Sequence, residues 1–130
     1  MKTSVLLAED ENSLQALLEE VLTDAGFDVV VASDGAQAMG RLDSAGLQLG
    51  VVVTDINLGA RPDGWAVSRH ARVLVPGMPV IYVSAHSIND WPSKGVPNSL
   101  FLSKPFKLRH IVMAVSTLLA DADGRRTAGI

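Results

Sequence analysis

The stretch Val51-Val52-Val53-Thr54-Asp55-Ile56-Asn57-Leu58 decides the fold. Its valines and Thr54 form an unbroken run, which is typical of a parallel strand that is covered on both faces. The loop residues that follow are Gly59, Pro62 and Gly64. Asp55 therefore ends a strand at the carboxyl edge of a sheet, where open α/β folds bind their ligands. Taken alone, Asp55 is better explained as a cap for the next helix, so its interpretation as a site residue depends on the rest of the chain.

Composition limits the classes of protein to which the chain can belong. It has 130 residues, 48% of them hydrophobic, so a single domain with a substantial core is expected. The formal charge is −3, with 11 basic and 14 acidic residues and no basic run, so a nucleic-acid surface is not expected. Cysteine is absent, which excludes disulfides and thiolate metal sites. The longest uncharged run, residues 73–89, contains two prolines and a glycine and does not resemble a membrane span, so we expect a cytoplasmic protein.

Strand-like and helix-like runs alternate along the chain. The predicted strands are Ser4–Ala8, Phe27–Ala32, the opening stretch, Pro79–Val83 and Leu100–Ser103. The predicted N-caps of the first three helices are Asn12, Asp34 and Asp63, and the last helix carries an apolar stripe from Leu108 to Leu119. Such alternation predicts an α/β fold with five parallel strands and helices on both faces of the sheet. The fourth helix is expected to be short or irregular, because residues 87–99 contain Pro92, Gly95 and Pro97.

The residues at the predicted strand ends have complementary chemistry. They are Glu9 and Asp10 after the first strand, Asp55 at the third, Ser84 at the fourth and Lys104 after the fifth. Because the carboxyl ends of parallel strands lie along one edge, these side chains are expected to converge. Crowded carboxylates repel one another unless a cation is bound. Mg²⁺ is the best candidate, since it accepts one or two carboxylates and keeps waters for a phosphate; Mn²⁺ is an alternative ion.

This arrangement predicts phosphoryl transfer to Asp55. A carboxylate can attack a phosphoryl group and form an acyl phosphate. Such a transfer needs mainly in-line positioning and neutralisation of charge. A bound divalent ion and Lys104 would neutralise the charge, and the Ser84 hydroxyl would donate to the same anion. Each of these residues has a more ordinary interpretation when taken singly, and their order along the chain makes the pattern specific.

The chain resembles the receiver domain of two-component response regulators over roughly Val5 to Leu119. The matching motifs are Glu9-Asp10, Thr54-Asp55-Ile56-Asn57-Leu58, Asp63-Gly64, Ser84-Ala85 and Lys104-Pro105-Phe106. The resemblance implies a three-layer flavodoxin-like (βα)5 fold, doubly wound, with strand order 2-1-3-4-5. It also implies a phosphorylation-dependent switch in a phosphorelay, in which Asp55 takes its phosphoryl group from a phosphohistidine with the help of Mg²⁺.

The resemblance also implies a role for each site residue. Asp10, Asp55 and the backbone carbonyl of Asn57 would bind the metal directly, and Glu9 would act through water. Ser84 and Lys104 would hold the phosphoryl oxygens. Ser84 and Phe101 would form the conformational switch, and Asn57 and His86 would tune hydrolysis. Lys104-Pro105 would be a cis peptide, which an X-Pro bond forms at small cost.

Four departures from the family pattern bear on these expectations. Glu9 stands where aspartate is commoner, and Ser84 stands where threonine is also common. The loop from Asp55 to Asp63 is one residue longer than usual and lacks the usual proline after Leu58. The fourth helix, which normally belongs to the output face, is interrupted, so partner geometry cannot be carried over.

Several alternatives remain open at this point. Residues 1–121 are expected to form the receiver domain, and residues 122–130 a disordered tail or linker stub. The chain is expected either to stand alone or to be a fragment of a longer regulator or hybrid kinase. The expected partners are a histidine kinase or phosphotransfer protein and an unknown output protein, with a homodimer as an alternative. A scaffold that works without phosphorylation is a further interpretation; the complete site argues against it, and the altered fourth helix keeps it open.

Two enzyme-like interpretations are weaker. A phosphohydrolase with an aspartyl nucleophile generally carries a second acid two residues later, and Asn57 occupies that position. A doubly wound nucleotide-binding domain needs a glycine-rich turn after its first strand, whereas residues 9–11 are all acidic. The chain is therefore not expected to act on a separate substrate.

Overall fold

The computed structural model describes residues 2–128, with side chains described through residue 122. The strands are β1 (Ser4–Ala8), β2 (Asp28–Ala32), β3 (Leu49–Asp55), β4 (Val80–Ser84) and β5 (Leu100–Ser103). The helices are α1 (Asn12–Asp24), α2 (Gly35–Ala45), α3 (Gly64–Leu74), α4 (Trp91–Lys94) and α5 (Leu108–Ala128). Each predicted strand is present. The observed bounds of β1, β2, β4 and β5 differ from the predicted bounds by at most one residue at either end, whereas those of β3 differ by more. None of the helices in this part of the chain is long and apolar enough to cross a membrane.

The five strands form one parallel sheet in the order β2-β1-β3-β4-β5. This confirms the predicted flavodoxin-like fold. The register places Ala8 opposite Thr54, Asp55 opposite Val83, and Ser84 opposite Ser103. The last residues of β1, β3, β4 and β5 therefore lie side by side, and the residues that follow them share one edge.

The sheet has a separate apolar core on each face. Successive residues of a strand point to opposite faces, so Val52 packs with α2 and α3 while Val51 and Val53 pack with α1 and α5. All three valines are fully buried. This explains why β3 reads as a continuous apolar run: each of its faces is covered by a pair of helices.

Aspartate caps begin two of the helices as predicted. The Asp34 carboxylate accepts a hydrogen bond from the Gln37 N–H (2.7 Å), and the Asp63 carboxylate accepts one from the Ala66 N–H (3.0 Å). The prediction for α1 was wrong, because Glu11 occupies the N-cap position and its side chain makes no capping bond.

Residues 88–99 form an irregular connection, named here the 88–99 segment. It contains a 3₁₀ turn (Ile88–Asp90), the four-residue helix α4 and an extended stretch that leads into β5. This confirms that the fourth helix is short. Pro92 lies in the first turn of α4, where a missing N–H costs nothing, and Gly95 ends the helix in an extended conformation.

The last helix is longer than the sequence predicted. The backbone of α5 stays helical through Ala128, whereas an irregular tail was expected from residue 122. Residues 120–128 include three alanines and two arginines, which are strong helix formers, together with the weaker helix formers Asp121, Asp123, Gly124 and Thr127. Residues 129 and 130 of the predicted tail lie outside the described residues.

Candidate functional site at the carboxyl edge of the sheet

The ends of β1, β3 and β4 and the turn after β5 enclose a small pocket of about 170 Å³. Its lining residues are Glu9, Asp10, Glu11, Asp55, Asn57, Ser84, Ala85, His86 and Lys104. The structure thus brings together every residue predicted to bind a metal or a phosphoryl group or to tune hydrolysis. A water molecule occupies roughly 30 Å³ in the liquid, so the pocket has room for a phosphoryl group with a few waters.

Lys104 joins the two buried acids of this pocket. Its ammonium donates to Asp55 Oδ2 (2.8 Å) and to Glu9 Oε1 (3.0 Å). These hydrogen bonds outweigh burial, which on its own would lower the pKa of Lys104, and hold that pKa above its ordinary value. Lys104 is therefore a fixed cation in contact with the Asp55 carboxylate.

Glu9 is completely buried. Burial raises the pKa of Glu9 from 4.5 to about 7, even though the Glu11 N–H donates to its Oε2 (3.1 Å) and Lys104 donates to its Oε1. Ionisation of Glu9 is unfavourable unless further positive charge lies nearby. The position of Glu9 therefore suits a bound cation.

Three carboxylates are placed where they could share a cation. Glu9, Asp10 and Asp55 each offer an oxygen, and these oxygens all lie within 4.8 Å of one another. Asp10 is exposed, whereas Glu9 and Asp55 are buried. An all-oxygen donor set that is partly open to solvent fits Mg²⁺, which keeps several of its waters.

The loop after β3 positions the Asp55 side chain through a backbone hydrogen bond. The Asn57 N–H donates to Asp55 Oδ1 (3.3 Å), and Asn57 in turn accepts from the Gly59 N–H (3.1 Å) through its side-chain oxygen. One carboxylate oxygen of Asp55 therefore faces the Asn57 backbone and the other faces Lys104.

Ser84 and His86 line the opposite side of the pocket. The Ser84 hydroxyl is buried and accepts a hydrogen bond from the His86 N–H (3.2 Å). Its carbonyl accepts from the Lys104 N–H (2.8 Å), which ties β4 to the turn that carries Lys104. His86 itself is exposed, so its imidazole is available to solvent at the mouth of the pocket.

Two further predictions concern the neighbourhood of the pocket. The Lys104-Pro105 peptide is cis, as predicted, and Arg61-Pro62 is a second cis peptide that the sequence did not indicate. Phe101 lies outside the pocket, with its ring centroid 6.5 Å from that of Tyr82 and 5.9 Å from that of Trp91. Its assignment as a switch residue stays a prediction.

Two residues support the site in ways that the sequence did not reveal. The Gln15 side chain lies three residues after the predicted cap Asn12, at the spacing of a capping box, but it donates instead to the Glu9 carbonyl (2.9 Å) and the Ala32 carbonyl (3.4 Å). Gly64 approaches the backbone of Asp55 so closely that a Cβ there would overlap with the Asp55 carbonyl oxygen. The Asp63-Gly64 pair signals a helix start, but neither contact has a local signal in the sequence.

Comparisons with known proteins agree with this geometry. Residues 5–116 match the family described as the response regulator receiver domain. The chain is 32% identical over 122 residues to the response regulator receiver protein CpdR of Brucella abortus, covering 91% of this chain and 98% of CpdR. It is 28% identical to the sensor kinase CckA of the same organism, but spans only 13% of that protein.

Solved structures give the same result. A response regulator receiver protein from Sinorhizobium medicae superposes with a TM-score of 0.89 at 45% identity, covering 93% of this chain and 97% of that one. The chemotaxis protein CheY4 of Vibrio cholerae shares the fold, with a TM-score of 0.81 at 21% identity. The chain belongs to the receiver domains of two-component response regulators, which act as phosphorylation-dependent signalling switches.

Proposed function

We propose that Asp55 is the phosphoacceptor of this receiver domain. The observation that carries the proposal is the contact of one carboxylate oxygen of Asp55 with the Lys104 ammonium, in a pocket that three further acids line. In the transfer, an Asp55 oxygen forms a bond to phosphorus while the bond from phosphorus to the imidazole nitrogen of the donor breaks. The leaving imidazole keeps that electron pair and takes up a proton.

Each residue of the pocket has a separate role in this proposed transfer. Lys104 neutralises charge on Asp55 and then on the phosphoryl oxygens. The Ser84 hydroxyl donates to another phosphoryl oxygen once it turns away from the His86 N–H. Asp10, Asp55 and the Asn57 carbonyl would hold Mg²⁺ or Mn²⁺, with Glu9 acting through water. The ion, when bound, offsets the negative charge that the acids and the phosphoryl group bring together.

The proposal is tested by incubation with acetyl phosphate, a small phosphodonor that needs no partner protein. With Mg²⁺ present, we expect the protein to gain the mass of one phosphoryl group, measured on the intact chain. With a chelator in place of Mg²⁺, we expect no adduct, since uncompensated carboxylates repel the donor. An adduct that forms equally well in both conditions would contradict the proposed metal-binding role of Glu9, Asp10 and Asp55.

Lys104→Met is expected to slow phosphorylation by acetyl phosphate by about 10- to 100-fold, since it removes a cation that faces the transferred group. The measurement is the initial rate of adduct formation at a Mg²⁺ concentration that saturates each variant. Methionine preserves the length of the side chain and much of its packing.

Lys107→Met provides the matched control. Lys107 is an exposed lysine just beyond the same turn, and it does not line the pocket. Its loss should leave the rate unchanged within about twofold, because exposed charges contribute little at this distance in salt. Equal rates for the two variants would remove Lys104 from the mechanism.

We further propose that His86 and Asn57 set the lifetime of the phosphorylated state. Both line the pocket, and each lies two residues beyond a residue that would touch the phosphoryl group. His86→Ala is expected to change the dephosphorylation rate, because an exposed imidazole that lines the pocket would order or block hydrolytic water. The rate is measured as decay of the phosphoryl adduct after removal of acetyl phosphate, and an unchanged decay would exclude His86 from this role.

The partners follow from the class of protein. We propose a histidine kinase or histidine phosphotransfer protein as the donor and a separate output protein as the receiver of the signal. The relatives include both a receiver protein of similar length and a large sensor kinase, so a free-standing switch and a domain of a longer protein are both represented among them. No contact in the described residues favours a scaffold that works without phosphorylation.

A further inference from the structure

Tyr82 carries a buried hydroxyl group that the proposed phosphorylation chemistry does not use. The residue lies in the middle of β4 and has no exposed surface. Its hydroxyl oxygen lies 2.5 Å from the hydroxyl oxygen of Ser68 on α3 and accepts a hydrogen bond from the Val96 N–H (3.0 Å). Tyr82 thus connects the central sheet both to α3 and to the 88–99 segment.

The bond to Val96 anchors the 88–99 segment. Among the side chains that the structure describes, that of Tyr82 is the one outside the segment that hydrogen-bonds to it. A buried backbone N–H without an acceptor is costly, so Val96 is held to the Tyr82 hydroxyl. The anchor therefore fixes a stretch that has only one short helix of its own.

Inside the segment, a second pair of hydrogen bonds extends this link to Trp91. The Ser99 hydroxyl donates to the Val96 carbonyl (2.7 Å) and accepts from Trp91 Nε1 (2.9 Å). The tyrosine hydroxyl, the Val96 N–H and C=O, the Ser99 hydroxyl and the indole thus lie in series, joined at Val96 through its covalent backbone. These contacts would carry a shift of β4 at Tyr82 to the indole ring.

Tyr82 is also positioned so that a displacement of Ser84 would displace it. The two residues are separated by one position on β4, so their side chains project from the same face of the strand. Binding of Ser84 to a phosphoryl oxygen would draw the end of β4 towards Asp55. Tyr82 belongs to the same short strand and would move with it.

We propose that the Tyr82 hydroxyl transmits phosphorylation of Asp55 to the 88–99 segment and sets the position of Trp91 in each state. The inference rests on the proposed phosphorylation of Asp55 and adds a route by which the signal reaches a surface. Trp91, Val96 and Pro97 line an open pocket of about 410 Å³ on this segment, so the route ends at an accessible face of the protein.

The test uses the full chain with 5-fluorotryptophan incorporated, observed by fluorine NMR. Comparison with Trp91→Phe assigns the resonance of Trp91, and intact mass gives the fraction of chains that carry a phosphoryl group. On treatment with acetyl phosphate and Mg²⁺, the Trp91 resonance of the unmodified sequence should shift. In Tyr82→Phe the shift should fall to less than about half at equal phosphoryl occupancy, because the link to Val96 is gone.

Tyr82→Phe isolates the hydroxyl group from the aromatic contacts. The phenylalanine ring can still pack against Trp65 and Phe101, whose centroids lie 4.8 and 6.5 Å from that of Tyr82. Ser68→Ala is the matched control, since it removes a hydroxyl from the same cluster but leaves the bond between Tyr82 and Val96. It should keep the full shift of Trp91, and an equal loss in both variants would overturn the assignment to that bond.

The outcomes separate this inference from the proposed function. A full Trp91 shift in phosphorylated Tyr82→Phe overturns the inference. So does a Trp91 resonance that does not move when the protein with the unmodified sequence is phosphorylated. In both cases the proposed phosphorylation of Asp55 is unaffected. If the unmodified protein gains no phosphoryl group, the proposed function fails and the inference fails with it.

A measurement on the unphosphorylated protein checks the anchor directly. Amide hydrogen exchange at Val96 should be slow in the unmodified sequence and at least about tenfold faster in Tyr82→Phe, because the N–H loses its acceptor. An unchanged exchange rate at Val96 would overturn the proposed anchor, even in a variant that is less stable overall.

Discussion

Asp55→Asn is expected to abolish phosphorylation by acetyl phosphate. The amide has nearly the shape of the carboxylate, but it is a poor nucleophile and carries no charge for Lys104 to neutralise. After incubation with Mg²⁺ and acetyl phosphate, the intact mass of this variant should be that of the unmodified chain. The fold should survive, because the amide oxygen can still accept from the Lys104 ammonium and only the longer hydrogen bond from the Asn57 N–H (3.3 Å) is lost.

Asp63→Asn is the matched control for this loss. It makes the same chemical change at the residue that caps α3, where the Asp63 side chain accepts from the Ala66 N–H. Asparagine caps helices about as well as aspartate, so stability should change little. This variant should gain one phosphoryl group as the unmodified sequence does. A phosphoryl group that persists in Asp55→Asn would move the acceptor to another residue.

Gly64→Ala is expected to be the most destabilising single-atom addition in the site. A Cβ at this position would overlap with the Asp55 carbonyl oxygen and would lie 2.8 Å from the Asp55 carbonyl carbon and the Ile56 Cα. These are backbone atoms of a buried strand end, so they cannot turn aside as a side chain does. We expect a loss of about 3 kcal/mol in the free energy of unfolding, and a fall in melting temperature of about 10 °C.

The same substitution should also weaken phosphorylation, because relief of the overlap displaces the Asp55 backbone. Gly40→Ala tests whether the effect is specific to position 64. Gly40 is an exposed glycine inside α2, and a Cβ there would meet no atom within 4 Å. Alanine at this position should stabilise the protein by about 0.5–1 kcal/mol. Thermal unfolding of both variants gives the comparison, and similar melting temperatures would contradict the steric argument.

The features that sequence predicted well are those that depend on neighbours along the chain. The apolar runs of the strands and the aspartate caps of α2 and α3 are local patterns, and the structure confirms them. The convergence of Asp55, Ser84 and Lys104 is not local, yet it follows from the parallel order of the strands, because that order fixes which edge each strand end reaches.

The features that sequence did not predict depend on contacts across the fold. Gln15 lies three residues after Asn12, at the spacing of a capping box, but its amide donates to the carbonyls at the ends of β1 and β2. The Tyr82 hydroxyl meets a peptide group 14 residues later in a segment without periodicity. Neither contact has a residue pattern that would distinguish it from ordinary packing.

Lys104 already shows how the phosphoryl group can be received without disassembly of the pocket. A lysine ammonium has three N–H groups, and the hydrogen bonds of the described residues use two of them, on Glu9 and Asp55. The third is available for an incoming oxygen while the other two bonds persist. An arriving phosphoryl group would therefore add a ligand to a cation that is already in place, and the energetic cost of preparing the site would be met when the chain folds rather than at each signalling event.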